Sequence, residues 1–303
     1  MASVMAVPSI PTTLDLSRLA APVFVEQLTF EDILAQMIAE VQKRLPAFDA
    51  TVDSDPAVKV LQVAAYREML IRQAFQDGAV QMLVAYATGT NLDHLGALVG
   101  VARLFVIPAN EMTGAAAVME SDDALRTRIV LAPESFTSAG PELAYVSHAK
   151  GASGDVLDAS ATSPAPGKVL VSVLSRLDDG TASPALVAAV DAIVTDQAIR
   201  PLGDDVATAS ARIVQFTVSA SLVTFSGPDT SVVLAASRTA LDAYLGDNRK
   251  LGRTITRSGI IAALTVAGVH RVDLVAPIAD VACDPTQAAW CFDIAIAHGG
   301  YAA

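Results

Sequence analysis

The sequence predicts an α+β protein: an N-terminal α-helical module followed by two small α/β domains whose helices pack on short mixed sheets. Three observations carry that expectation. Apolar residues recur at three- and four-residue spacing through 25–100, the mark of amphipathic helices. Alternating runs separated by Gly/Pro turns and short helical stretches fill 140–297, the mark of half-buried strands. A chain of 303 residues also exceeds one ordinary core of about 100–150 residues.

The elements follow in order. The first helix is expected over 30–45, where Phe30, Ile33, Leu34, Met37, Ile38 and Val41 share one face, Thr29 can cap the start and Pro46 stops the end. Pro56 after Asp55 opens a second helix, whose apolar face is expected to use Val60, Leu61, Ala64, Leu70, Ile71 and Phe75, with Gly78 interrupting it. A third helix is expected over 79–88, Gly89 as a left-handed end residue, and a fourth over 92–99 capped by Asn91. Around Pro108 and Gly114 the pattern loosens, and Ser121, Asp122 and Asp123 then start a helix through Leu131.

Beyond this junction the sequence predicts a helix over 141–150, strands over 155–159 and 168–174 joined by the turn Pro164-Ala165-Pro166-Gly167, a helix over 183–196 and a strand over 206–211. The last third reads as a strand over 213–225 with Val214, Phe216, Val218, Ala220 and Leu222 on one face, a helix over 230–245 and another over 258–267. Strands over 269–276 and 289–297 complete it, the second presenting Trp290, Phe292, Ile294 and Ile296 on one side. The resulting division is an extended arm at 1–24, a helical module at 25–103, a junction with a short helix at 104–139, a β-β-α-β domain at 140–211 and a C-terminal α/β domain at 212–303.

Charge and composition exclude several functions. Twenty basic against 32 acidic residues give a net charge of -12, which argues against nucleic acid as a partner, because phosphate backbones are bound by clustered Lys and Arg. The mean hydropathy of +0.47 comes from Ala, Val and Leu, with aromatics only 5%, and no apolar run approaches the roughly 18 residues of a membrane span. No membrane insertion is expected. The opening MASVMAVPSIPTTL lacks the cationic start and apolar core of a secretory signal, which points to a cytoplasmic beginning. Cys283 and Cys291 match no zinc or redox spacing and read as small hydrophobes, with pairing left open.

Chemistry is hard to find. His94, His148, His270 and His298 fall in four different elements, and phosphate-loop, dinucleotide and nucleophile-elbow patterns are absent. The doublets Asp122-Asp123, Asp178-Asp179 and Asp204-Asp205 have plain readings at a helix start, a turn and a strand entrance. No catalytic residue, cofactor or metal is expected. The alternative is a cation-dependent hydrolase using Asp178, Asp179, Asp204 and Asp205 as clustered carboxylates.

The segments AAPVFVEQLTFEDILAQ (20–36), GTNLDHLGALVGVAR (89–103), ESDDALRTRI (120–129), SAGPELAYVSHAKGASGDVLDASATSPAPGKVLVSVLSR (138–176), IRPLGDDV (199–206), LGRTITRSGIIAAL (251–264), GVHRVDLVAP (268–277) and DPTQAAWC (284–291) stand in an order that, along nearly the whole chain, resembles the baseplate J family of contractile-tail phages and related tailocins. The resemblance implies a non-enzymatic baseplate wedge subunit, assembled in the host cytoplasm, whose helical portion pairs with a second copy and with another wedge protein. Its C-terminal domains would join six wedges into a ring around the hub, beside the sheath initiator. A protein that works by association needs apolar stripes and strand edges, and the face of Phe30, Ile33, Leu34, Met37, Ile38 and Val41 is the expected interface. Packing of that same face on the helix after Pro56 is the competing expectation.

Overall fold

The computed structural model describes residues 16, 19–49, 52, 54–110, 112, 114–136, 140–227 and 229–302. Most of the expected arm at 1–24 lies outside them, as does Pro228 of Gly227-Pro228-Asp229, the turn expected between the strand over 213–225 and the helix over 230–245. The architecture is α+β, with helices first and sheet-containing parts after them. It divides into two units, one reaching to Ala102 and taking in Asp122–Val130, the other comprising Arg103–Ser121 and the chain from Leu131 onward.

In the first unit, α1 (Phe30–Arg44) opens on a capping box, because the Thr29 hydroxyl accepts from the Asp32 N–H at 3.1 Å and the Asp32 carboxylate accepts from the Thr29 N–H. Helix α2 (Pro56–Val80) starts on Asp55, whose carboxylate accepts from the Ala57 N–H at 2.7 Å. It runs through Gly78, which was expected to break it; a glycine two residues from a helix end costs only about 1 kcal/mol and does not terminate the helix. The expected helix over 79–88 is also not there. Ala79 and Val80 end α2, and turns follow, because the Val84 and Ala87 carbonyls accept at 2.8 Å from the Arg126 guanidinium instead of from following amides.

Gly89 has the expected left-handed φ of 53°, but it begins α3 (Gly89–Ala97) where the end of a preceding helix was expected. Leu92 of α3 and Ala87 pack with Leu125 and Ile129 of α4 (Asp122–Leu131) in a small core.

The second unit opens with an unexpected hairpin, β1 (Phe105–Ile107) and β2 (Val118–Met119). The buried Glu120 carboxylate accepts from the Leu104 N–H at 3.0 Å at its base. Next come α5 (Glu142–Ala152), β3 (Val156–Ala165), β4 (Lys168–Ser175), α6 (Pro184–Val194) and β5 (Asp205–Ser210). Strand β3 extends beyond 159 and absorbs Pro164 and Ala165, leaving the turn to Pro166-Gly167. The sheet runs β3-β4-β5, antiparallel and then parallel, since the α6 crossover returns the chain in the same direction. Its core is Val171, Val173, Leu186, Val190 and Val194 against Tyr145 and Ala149 of α5.

The last sheet has the long β6 (Arg212–Thr224) at its centre, β7 (Val269–Ala276) antiparallel on one side and β8 (Gln287–Tyr301) parallel on the other. The helices α7 (Thr230–Asp247) and α8 (Arg257–Leu264) pack with Phe216, Val218, Ala220 and Leu222 of β6. Helix α8 ends three residues short of the expected 267, where Thr265 closes its last turn.

The expected face of β8 is wrong in one respect. Phe216 pairs with Cys291 and Thr217 with Asp293, so Phe292 is an inserted bulge residue and the alternation changes phase there. Cys291, Ile294 and Ile296 therefore pack on the core, while Phe292 is 61% exposed and Trp290 stacks under the Arg249 guanidinium at 4.5 Å. Leu174, Ala211 and Ala288 form a shared core between the two sheets, with Leu157, Ile213 and Leu251 around it.

Candidate functional site

The helical hairpin is where the geometry concentrates uncovered apolar surface. Helix α1 packs on α2, with Ile33 only 1% exposed and Val58 and Ala65 buried on the α2 side. The other members of the expected interface, Phe30, Leu34, Met37, Ile38 and Val41, are half-buried in the single chain. Part of that face is thus occupied within the chain.

Helix α2 is covered on the face holding Val58 and Ala65, whereas Val60, Ile71 and Phe75 of the expected apolar face are between 61% and 68% exposed, so the chain by itself does not close that stripe. Val63, Tyr66, Leu70 and, beyond the helix end, Met82 are exposed as well. At about 100° per residue, Val60, Val63, Ala64, Arg67, Ile71, Ala74 and Phe75 fall in one band about 22 Å long on the side away from Val58 and Ala65. Periodicity found the band but not its direction. The available signal was that α2 is apolar on two sides, the pattern of a helix with two partners.

Residues 19–25 are fastened beside this helix. The Gln76 amide oxygen accepts from the Phe24 N–H at 2.8 Å and the Val25 N–H at 3.3 Å, and its nitrogen donates to the Pro22 carbonyl at 2.8 Å. Tyr86 donates to the Leu19 carbonyl. Leu19, Val23 and Phe24 stay exposed and extend the apolar surface.

Elsewhere the titratable groups are engaged in holding turns. Asp179 accepts from the Thr181 N–H at 2.9 Å, and this bond keeps its carboxyl below the ordinary carboxylate value. Asp178 sits at φ 46° with its carbonyl accepting from Arg249 at 2.7 Å. Asp204 accepts at 2.8 Å from the buried Tyr145 hydroxyl, whose proton is held by burial and by that carboxylate, and Asp205 donates its N–H to the Gly167 carbonyl. Among the described residues no group of three or more His, Cys, Asp or Glu is placed to hold a metal, and no helix is long and apolar enough to cross a membrane. Cys283 and Cys291 are free thiols, each raised in pKa chiefly by burial. A groove of ≈ 280 Å³ lies between α7 and β8, lined by Phe216, Leu245, Trp290 and Ile294 together with Arg238 and Arg249.

Three family models match the chain in order: the Baseplate J-like N-terminal domain over 53–110, the Baseplate J-like central domain over 137–210 and the Baseplate J-like protein C-terminal domain over 216–297. Baseplate protein J of Escherichia phage P2 is 41% identical over 296 residues, covering 95% of this chain and 98% of that protein. The chain belongs to the baseplate J family. A baseplate J protein is a structural component of a phage baseplate. The N-terminal match covers α2, α3 and β1, the central match α5 to β5, and the C-terminal match most of the β7-β6-β8 sheet with α7 and α8.

Proposed function

We propose that this baseplate J protein is a wedge subunit of a contractile tail that acts without catalysis, pairing through its helical hairpin with a second copy and with another wedge protein. In this reading the arm (1–24), helical module (25–103), junction (104–139) and two α/β domains (140–211 and 212–303) are separate working parts. The α/β domains link neighbouring wedges into a ring of six around the hub, next to the sheath initiator, and the subunit is assembled in the host cytoplasm. The half-buried face of Phe30, Leu34, Met37, Ile38 and Val41 forms the rim of the seam.

One observation carries the proposal: the uncovered band of Val60, Val63, Ile71 and Phe75 on α2. Large apolar side chains aligned along one helix face are the recognition surface of helix-in-groove and bundle contacts, and single-chain packing leaves them in water. The test is light scattering after size exclusion, on the chain alone and co-expressed with neighbouring tail proteins. Wild type should run as a homo- or hetero-oligomer, and Ile71→Asp or Phe75→Asp should raise the dissociation constant at least tenfold, since each residue contributes about 1.5–3 kcal/mol when buried. A strictly monomeric wild type under both conditions would remove the proposal.

A further inference from the structure

The segment Ile199-Arg200-Pro201-Leu202-Gly203-Asp204 holds a tight turn that the pairing reading does not use. The Asp204 N–H donates to the Pro201 carbonyl at 3.2 Å, placing Leu202 and Gly203 at the apex. The turn is fixed from several sides. Asp204 is held by the Tyr145 hydroxyl at 2.8 Å, and its carbonyl accepts from Arg200 Nη1 at 3.1 Å. The Asp196 carbonyl accepts from the Ile199 and Arg200 N–H groups, and its carboxylate from the Ala198 N–H at 2.8 Å. Tyr145 is itself in the domain core, so this is a rigid support.

Leu202 on that support is fully exposed. Turn apices are ordinarily filled by Gly, Pro, Asn, Asp or Ser, each for a conformational or hydrogen-bonding reason that leucine does not meet. What sets Leu202 apart from a scattered surface leucine is this support, which holds the side chain out in one place.

The same chain contains an open groove with apolar walls. At ≈ 280 Å³ the groove between α7 and β8 falls below the range of about 300–1,000 Å³ typical of small-molecule sites, and its walls include Phe216, Leu245, Trp290 and Ile294. The net charges are opposite. Around the apex, Asp196, Asp204 and Asp205 outnumber Arg200 and Lys168, whereas in the groove Arg238 is paired with Asp242 at 2.9 Å and Arg249, stacked on Trp290, leaves a net positive charge. Leu202 stands in solvent, so it does not fill its own groove.

We infer that Leu202 of one copy inserts into the α7–β8 groove of a second copy, a head-to-tail contact between the central and C-terminal sheets. Such a contact uses two different surfaces and so propagates into a ring or an open chain; it does not close a two-fold dimer. This inference rests on the reading of the chain as a self-assembling subunit, and it gives that assembly a second seam apart from the helical one.

Cys291 lines the groove and supplies a direct test. The full-length Leu202→Cys variant, treated with diamide and run on a non-reducing gel, should yield dimers and a ladder that collapse on reduction. These species should persist with Cys283→Ser and vanish with Cys291→Ser. Independently, Leu202→Asp should raise the concentration needed for the larger assemblies about tenfold, with an unchanged thermal midpoint because the side chain touches no core. Absence of a Cys291-dependent link, or a link through Cys283 alone, overturns the inference. If the α2 variants dissociate the wild-type oligomer while the Leu202 variants change nothing, the pairing reading survives without this contact. If the Cys291-dependent ladder forms while the α2 variants have no effect, the reverse holds.

Discussion

Single residues in this chain are legible wherever their role is local. Thr29, and Asp55 before Pro56, are helix starts read directly from residue type, because a cap and its amides are neighbours in sequence. His148 shows the opposite. Nothing adjacent to it reveals that burial in α5 holds its imidazole below the ordinary value of 6.5. The sign of the consequence is definite: the fold favours the neutral ring, so the unfolded chain takes up its proton first as pH drops. The contribution of His148 to stability is therefore complete above 6.5 and is lost as pH falls through 6.5 toward the lowered folded value. Thermal midpoints between about pH 5 and 8 should fall more steeply on the acid side for wild type than for His148→Gln. Parallel curves would show that the ring is not protected as described.

At the scale of elements, a period identifies a helix or strand but leaves its orientation open. Helix α2 carries apolar residues on two sides, and the choice between Val58 with Ala65 and Val60 with Ile71 was made by where α1 lies. Strand β8 makes the same point through its bulge, because an insertion is invisible to alternation. A paired substitution measures this. Phe292→Ser should change stability by less than about 0.5 kcal/mol, as expected for a surface site, whereas Ile294→Ser should cost roughly 2 kcal/mol or more. Strict alternation assigns both residues to one face and equal costs, so comparable denaturant midpoints would argue against the bulge register. The hairpin of β1 and β2 was missed because two- and three-residue strands carry too little pattern to register.

For the whole molecule, the two sheets of the second unit share the core of Leu174, Ala211 and Ala288, and two polar bonds reinforce it. Asp158 of β3 accepts from the Leu251 N–H at 3.0 Å while paired with Lys150 at 3.1 Å, and the Ser160 hydroxyl donates to the Pro285 carbonyl at 2.5 Å. Leu174→Ala should cost about 3 kcal/mol, and amide exchange should accelerate in β3–β5 and β6–β8 together. Faster exchange confined to the first sheet would mean that the two fold independently. This joint was beyond sequence reasoning, since Leu157 and Leu251 come from segments far apart in the chain.

The sequence by itself determined the α+β class, most helix and strand positions and their order, because caps, turn residues and the two periodicities act over a few residues. It also carried the co-linear segments that the family matches extend over 53–110, 137–210 and 216–297. Only the tertiary structure decided which face of α2 stays in water, where β8 changes phase, how the carbonyls of Val84 and Ala87 are satisfied and that Leu202 stands on a fixed turn. Each of those outcomes depends on a partner many residues away, such as Arg126 or Tyr145, and burial is a property of that pairing.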